Sequence, residues 1–168
     1  MNLICINQKH KNQRLIEYRQ RLLKKYLKEL RDLYNISFSN EESNLYNTYI
    51  ASEHTEWIDI FADDSDEPVG FLVVGEQENC HPDANYYIEE LYVEPEFRNK
   101  GLASATATNF LHNHKGIYCL FIINDNNIAK IFWDKVFTSC RYTETKLYDE
   151  YSDQYTYCKL YGYKPQTT

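Results

Sequence analysis

Residues 117–123, Ile-Tyr-Cys-Leu-Phe-Ile-Ile, are an unbroken apolar run of strand length set between two segments with helical periodicity. A strand that does not alternate leaves no face for water, so it belongs inside a sheet covered on both sides. That run commits the chain to a layered mixture of helices and strands. A short apolar run at 2–6 predicts a first strand, and an amphipathic helix follows from about Lys9 to Tyr34. Leu15, Leu22, Leu23, Tyr26, Leu27, Leu30 and Leu33 recur there at helical spacing, with the basic residues between them as the solvated face. Asn40 starts a second helix over 41–52, with Leu45, Tyr49 and Ile50 inward. Strands are predicted at 55–61 and 68–75 around an acidic turn at 63–67, then at 86–93, where Pro95 ends the element. Gly101 to about His114 reads as a helix, and so does 127–137, with Ile128, Ile131, Phe132 and Val136 on one side. Two closing strands lie near 140–147 and 154–161.

This order lacks the regular alternation of a Rossmann fold. At 168 residues the chain has the size of one domain, 1–168, and it carries no repeat or linker. No apolar run reaches the ~20 residues of a membrane helix and no secretion signal opens the sequence, so a cytoplasmic location is expected. A formal charge of −7 argues against nucleic acid or an anionic membrane as a partner and favours a cationic one. Five scattered cysteines without CxxC spacing read as free, mostly buried thiols, Cys119 and Cys158 in strand-like contexts. His112 and His114 are not stacked on a helix, so no metal site is expected and both read as solvated.

The chemistry-bearing stretch is Tyr92-Val93-Glu94-Pro95-Glu96-Phe97-Arg98-Asn99-Lys100-Gly101-Leu102-Ala103. It is a strand, a proline-marked turn and a short basic glycine loop that opens into a helix. Unpaired N–H groups and the positive end of the dipole make a helix N-terminus a site for phosphate oxygens. Arg98 and Lys100 add charge, Gly101 removes a side chain from the approach, and small Ala103 and Ser104 keep the first turn narrow. The loop is too short for a Walker loop and lacks the three glycines of a dinucleotide fingerprint.

Arg98-x-x-Gly101-x-Ala103 resembles the (R/Q)xxGx(G/A) pyrophosphate loop of the GNAT N-acetyltransferases. The strand before it resembles that family's fourth strand, and Asn126-x-x-Ala129-x-x-Phe132-Trp133 resembles its segment after the fifth strand. The resemblance covers residues 86–137. It implies an α/β (α+β mixed) fold: a central mixed, mostly antiparallel sheet of about seven strands flanked by about four helices, with strands four and five splayed for acyl-CoA. It implies acetyl-CoA as co-substrate, its pantetheine held by backbone around Leu91, Tyr92 and Val93 and its pyrophosphate by Arg98, Asn99, Lys100, Gly101, Leu102, Ala103 and Ser104. Asn126, Ala129 and Trp133 fall where the family contacts the cofactor arm, although Asn126 reads equally well as a helix cap.

Transfer to an amine requires removal of a proton, and Glu89 and Glu90 are the carboxylates at the family's position for it. Neighbours on a strand face opposite ways, and Glu89, on the face of Leu91 and Val93, is the preferred base. Trp133 stands where many members have the tyrosine that protonates the leaving thiolate, and indole cannot do so; Tyr142 is the substitute acid, with water or unaided departure as alternatives. Acidic turns at 63–67 and 149–153, the latter among Tyr148, Tyr151, Tyr155 and Tyr157, suit a small cationic amine such as a polyamine or aminoglycoside. A protein or peptide amine, and an acyl-CoA-binding module with little catalysis, are the alternative readings. The long first helix also suits a homodimer.

Overall fold

The computed structural model describes residues 13–35, 55–75, 82–148 and 156–163. The expectations for 2–6, 41–52 and 149–153 lie outside the described residues. In chain order the elements are α1 (Gln13–Tyr34), β1 (Thr55–Phe61), β2 (Pro68–Gly75), β3 (Tyr86–Val93), a 3-10 turn (Pro95–Phe97) and α2 (Leu102–Asn113). They continue with β4 (Ile117–Ile123), α3 (Asn127–Ser139), β5 (Tyr142–Tyr148) and β6 (Thr156–Tyr163). The strands form one mixed, mostly antiparallel sheet in the order β1-β2-β3-β4-β6-β5. β3 runs parallel to β4, and β6 is antiparallel to both β4 and β5. Among the described residues there are six strands and three helices. None of these helices is long and apolar enough to cross a membrane.

The described residues fall into two compact units, the first holding those up to Val73 and 90–103, the second those of 74–89 and from Ser104 on. In the first unit α1 lays Leu22, Leu23 and Leu27, with Tyr26, on Trp57, Phe71, Val73 and Tyr92. On the other face Ile60, Ala62, Val69 and Val93 pack with Leu102, the first residue of α2. β2 is therefore buried at every position, as its unalternating Val-rich sequence requires.

Two expectations for α1 are corrected here. Arg19 was expected on the solvated face, yet it is 7% exposed and forms a forked pair with buried Asp59, Nε to Oδ1 at 3.0 Å and an Nη to Oδ2 at 2.7 Å. Trp57 Nε1 also donates to Asp59 at 2.9 Å, which satisfies a carboxylate that a dry sheet face would otherwise reject. Leu33, expected inward, is 63% exposed. In the 63–67 turn, Glu67 accepts from Tyr18 and Arg21 of α1 while Asp63, Asp64 and Asp66 stay exposed.

In the second unit all seven residues of β4 pair with β6. Tyr118, Phe137 and Tyr142 fill the core, and the Phe137 and Tyr161 rings stack at 3.9 Å. Pairing of β3 with β4 runs through Tyr86↔Tyr118, Tyr87↔Cys119 and Ile88↔Leu120.

Cys119 is fully buried and disulfide-bonded, not the free thiol expected there. Scattered spacing gives no sign of a pair formed through tertiary contact. Cys140 is free and buried. Ile128 and Ile131 are 83% and 68% exposed, not inward, because α3 buries the stripe of Trp133, Val136 and Phe137. At 100° per residue the two isoleucines lie about 140° and 160° around the helix from Trp133. His114, expected to be solvated, is half-buried and stacks on Phe110 at 4.2 Å.

Candidate functional site

The turn after β3 is built by ordinary local rules. Pro95 opens a single 3-10 turn, closed by Phe97 N–H to Glu94 O at 2.9 Å and Arg98 N–H to Pro95 O at 3.2 Å. Glu94 is buried, its N–H on Val69 O and its carboxylate paired with Lys25 of α1. The chain then takes two left-handed residues, Asn99 at φ 60° and Gly101 at φ 81°, around Lys100. Such alternation lets successive N–H groups converge on one concavity, which suits an anion. Asparagine tolerates that conformation and glycine adopts it freely. A Cβ on Gly101 meets nothing within 4 Å, so glycine is required here by φ, and the space in front of it is open. Leu102 anchors the start of α2 in the core, Ser104 is exposed, and no acidic residue occupies the first turn.

The Arg98 side chain is not aimed where the motif suggests. Its Nε donates to Val93 O at 2.7 Å, one Nη reaches Glu29 Oε2 of α1 at 2.6 Å, and the guanidinium lies 5.6 Å from the Tyr92 ring centre. The hydrogen bond from Arg98 to Glu29, opposed by burial, raises the pKa of Arg98 above its ordinary value. Lys100 is exposed and rests 4.9 Å from the Phe97 ring.

At its far end β3 shows which backbone groups are open. Glu94 N–H faces β2, and a Cβ on Gly70 of β2 would lie 2.3 Å from Tyr92 O, so the backbone of Tyr92 and Glu94 is turned to β2. Alternation turns Leu91 and Val93 to the other edge, where Arg98 covers the Val93 carbonyl. Tyr92 differs from both in direction. Its backbone faces β2, its ring is 5% exposed beneath α1, and burial, aided by Glu29, pushes its pKa to about 12.

The two glutamates separate as alternation predicts. Glu90 accepts a short hydrogen bond from Tyr26 of α1. Glu89 lies against Gly75, where an added Cβ would sit 2.0 Å from Oε1, and that oxygen is out of solvent.

In the second unit Asn126 caps α3, its Oδ1 accepting from Ala129 N–H at 2.9 Å. Trp133 is 6% exposed and packs on Phe132 and Phe137. Tyr142, expected as the substitute acid, is 1% exposed and its hydroxyl faces His114 O at 3.3 Å and Leu111 O at 3.4 Å, at the C-terminal end of α2. Burial also pushes the pKa of Tyr142 to about 12, away from easy proton exchange. Residues missed by the sequence reading are Lys25, Tyr26 and Glu29, which reach Glu94, Glu90 and Arg98. Their spacing of three and four is visible in the sequence, but their partners are not.

No curated protein matches the sequence. Among solved structures, the histone acetyltransferase HPA2 and related acetyltransferase of Corynebacterium glutamicum superposes with a TM-score of 0.69 at 11% identity, covering 100% of this chain and 99% of that one. The NatC complex bound to Gag peptide and CoA gives 0.58 at 16% identity, with 98% and 100% covered. NAA60 of Arabidopsis thaliana, in complex with a bisubstrate analogue, gives 0.54 at 17% identity, with 84% and 93% covered. At these identities the likeness is one of fold. The sequence profile of the acetyltransferase (GNAT) family matches residues 21–137, a span that runs from α1 through the glycine loop to the end of the buried stripe of α3. Profile, sheet order and loop agree, and this chain belongs to the GNAT acetyltransferase family.

Proposed function

We propose that the protein moves an acetyl group from acetyl-CoA to a primary amine of a small cation, a polyamine or an aminoglycoside. The observation that carries the reading is the loop from Arg98 to Ala103: two left-handed residues, open space before Gly101 and a helix start without acid. Those residues fit a pyrophosphate. N–H groups from Asn99 to Ser104 would hold it, with Lys100 as the nearby cation. Leu91 N–H and C=O and Val93 N–H, on the edge of β3 turned away from β2, would hold the cofactor arm. When bound, acetyl-CoA supplies an acyl thioester whose thiolate is a good enough leaving group to depart without a tyrosine.

Glu89 would accept the proton of the incoming ammonium, since only the neutral amine is a nucleophile. Glu90, held by Tyr26, is the second carboxylate proposed for that role. A second reading, an acyl-CoA-binding module with little turnover, is favoured by buried Trp133 at the family's tyrosine position and by Tyr142 turned onto backbone carbonyls.

Free-thiol release from acetyl-CoA, followed across spermidine, an aminoglycoside, a lysine peptide and a simple primary amine, tests the proposal. Release with the polycations supports it. Calorimetric binding of acetyl-CoA with no release for any amine supports the binding module, and no binding at all overturns both.

A further inference from the structure

Arg98 is the first charge of the loop, but its geometry gives it other work. Nε is committed to Val93 O at 2.7 Å and one Nη to Glu29 Oε2 at 2.6 Å, with the Tyr92 ring beneath the guanidinium. A planar fork bound to a carbonyl and a carboxylate is fixed in direction, and its charge is balanced locally. Glu29 sits in register with Lys25 and Tyr26, four and three residues earlier on α1, which hold Glu94 and Glu90. Three successive contacts from one face of α1 therefore run along the end of β3 and into the turn.

We infer that Glu29 and Arg98 form a positioning clamp: Glu29 orients Arg98, and Arg98 ties the glycine loop to the last carbonyl of β3, so that the N–H groups beyond it are set for the cofactor before it arrives. The inference rests on the reading of this loop as the acetyl-CoA site. It makes Glu29 a positioning residue although it is an anion close to where an anion would bind. Electrostatics alone and positioning then predict opposite signs. Removing the negative charge of Glu29 should strengthen binding of an anionic ligand if charge is all that matters, and should weaken it if the clamp sets the loop.

The experiment is calorimetry of acetyl-CoA with the parent, Glu29→Gln, Arg98→Gln, Arg98→Lys and the Glu29→Gln/Arg98→Gln double variant, with melting midpoints to check folding. Each single variant should bind about tenfold more weakly, the scale of one charged hydrogen bond. The double variant should be no weaker than Arg98→Gln, because the two residues act as one device. Arg98→Lys should not rescue binding, since an ammonium cannot make both bonds. In steady state the KM for acetyl-CoA should rise while kcat at saturation holds, a split that general loss of stability would not produce. Equal or tighter binding by Glu29→Gln, or full rescue by Arg98→Lys, overturns the clamp and leaves the cofactor site standing. A folded parent that fails to bind acetyl-CoA overturns the cofactor site and the clamp with it.

Discussion

Gly101 shows how one residue serves conformation and ligand separately. Because a Cβ there meets nothing within 4 Å, Gly101→Ala carries only the strain of φ 81°, roughly 1–2 kcal/mol. Gly101→Asp adds a negative charge in the open space and should abolish acetyl-CoA binding while the protein stays folded, which calorimetry and a melting curve together would check. Unchanged affinity in the aspartate variant would move the pyrophosphate elsewhere. Thr106, one turn into α2, is 1% exposed with an Oγ1 that makes no hydrogen bond, so Thr106→Val removes an unmet polar group at constant shape. Its melting midpoint should rise by about 2–4 °C, the equivalent of ~1 kcal/mol in a chain of this size. The loop's place and the Asn126 cap were legible because both are local: a short-range pattern of proline, glycine and asparagine fixes them. The direction of the Arg98 side chain was not, since it depends on Glu29, 69 positions away in sequence.

Helices and strands were legible where periodicity acts alone, and failed where a tertiary partner overrides it. The α1 stripe was read correctly at Leu22, Leu23 and Leu27, but Arg19 entered the core because Asp59 and Trp57 wait on β1. Asp59→Asn should leave Arg19 charged and buried without its carboxylate, at a cost of roughly 3–5 kcal/mol in urea unfolding. A loss under 1 kcal/mol would mean that water reaches the guanidinium. α3 was placed correctly but rotated, since two isoleucines outweighed Trp133 in a pattern judged by hydrophobicity alone. On that helix Asp134 accepts from buried Lys159 of β6 at 2.7 Å, and Lys159 also reaches Glu144 of β5 at 2.9 Å. Burial pushes the Asp134 pKa up, yet bonds from Lys159 and Tyr161 outweigh it and hold the carboxyl below its ordinary value. A depressed carboxyl stabilises above its unfolded pKa and loses that contribution as pH falls through the folded one. Asp134→Asn should therefore lower the urea midpoint at pH 7 and converge on the parent at pH 2. A gap that persists at pH 2 would assign the loss to packing.

Across the whole molecule the dominant property is charge, −7 with an isoelectric point near 5.2. An anionic protein that holds an anionic cofactor needs its cations concentrated, and on the proposed reading the exposed Lys100 would supply that at the loop. A cationic acceptor meets the opposite situation, drawn by the net field and by exposed Asp63, Asp64 and Asp66, while Glu67 is already paired with Arg21. Salt screens such attraction over about 8 Å at physiological ionic strength, so kcat/KM for a polycation should fall as salt rises. A singly charged amine should show a smaller fall, because each further ammonium adds its own interaction. Replacing Asp63, Asp64 and Asp66 together by asparagine should raise the KM for spermidine and flatten its salt dependence, with the KM for acetyl-CoA unchanged. The measurement is initial rates at low and high salt for spermidine, an aminoglycoside, a lysine peptide and a simple amine. Preference for the singly charged amine, or rates indifferent to salt for every acceptor, would end the polycation assignment and leave the family's acetyl transfer to find another amine.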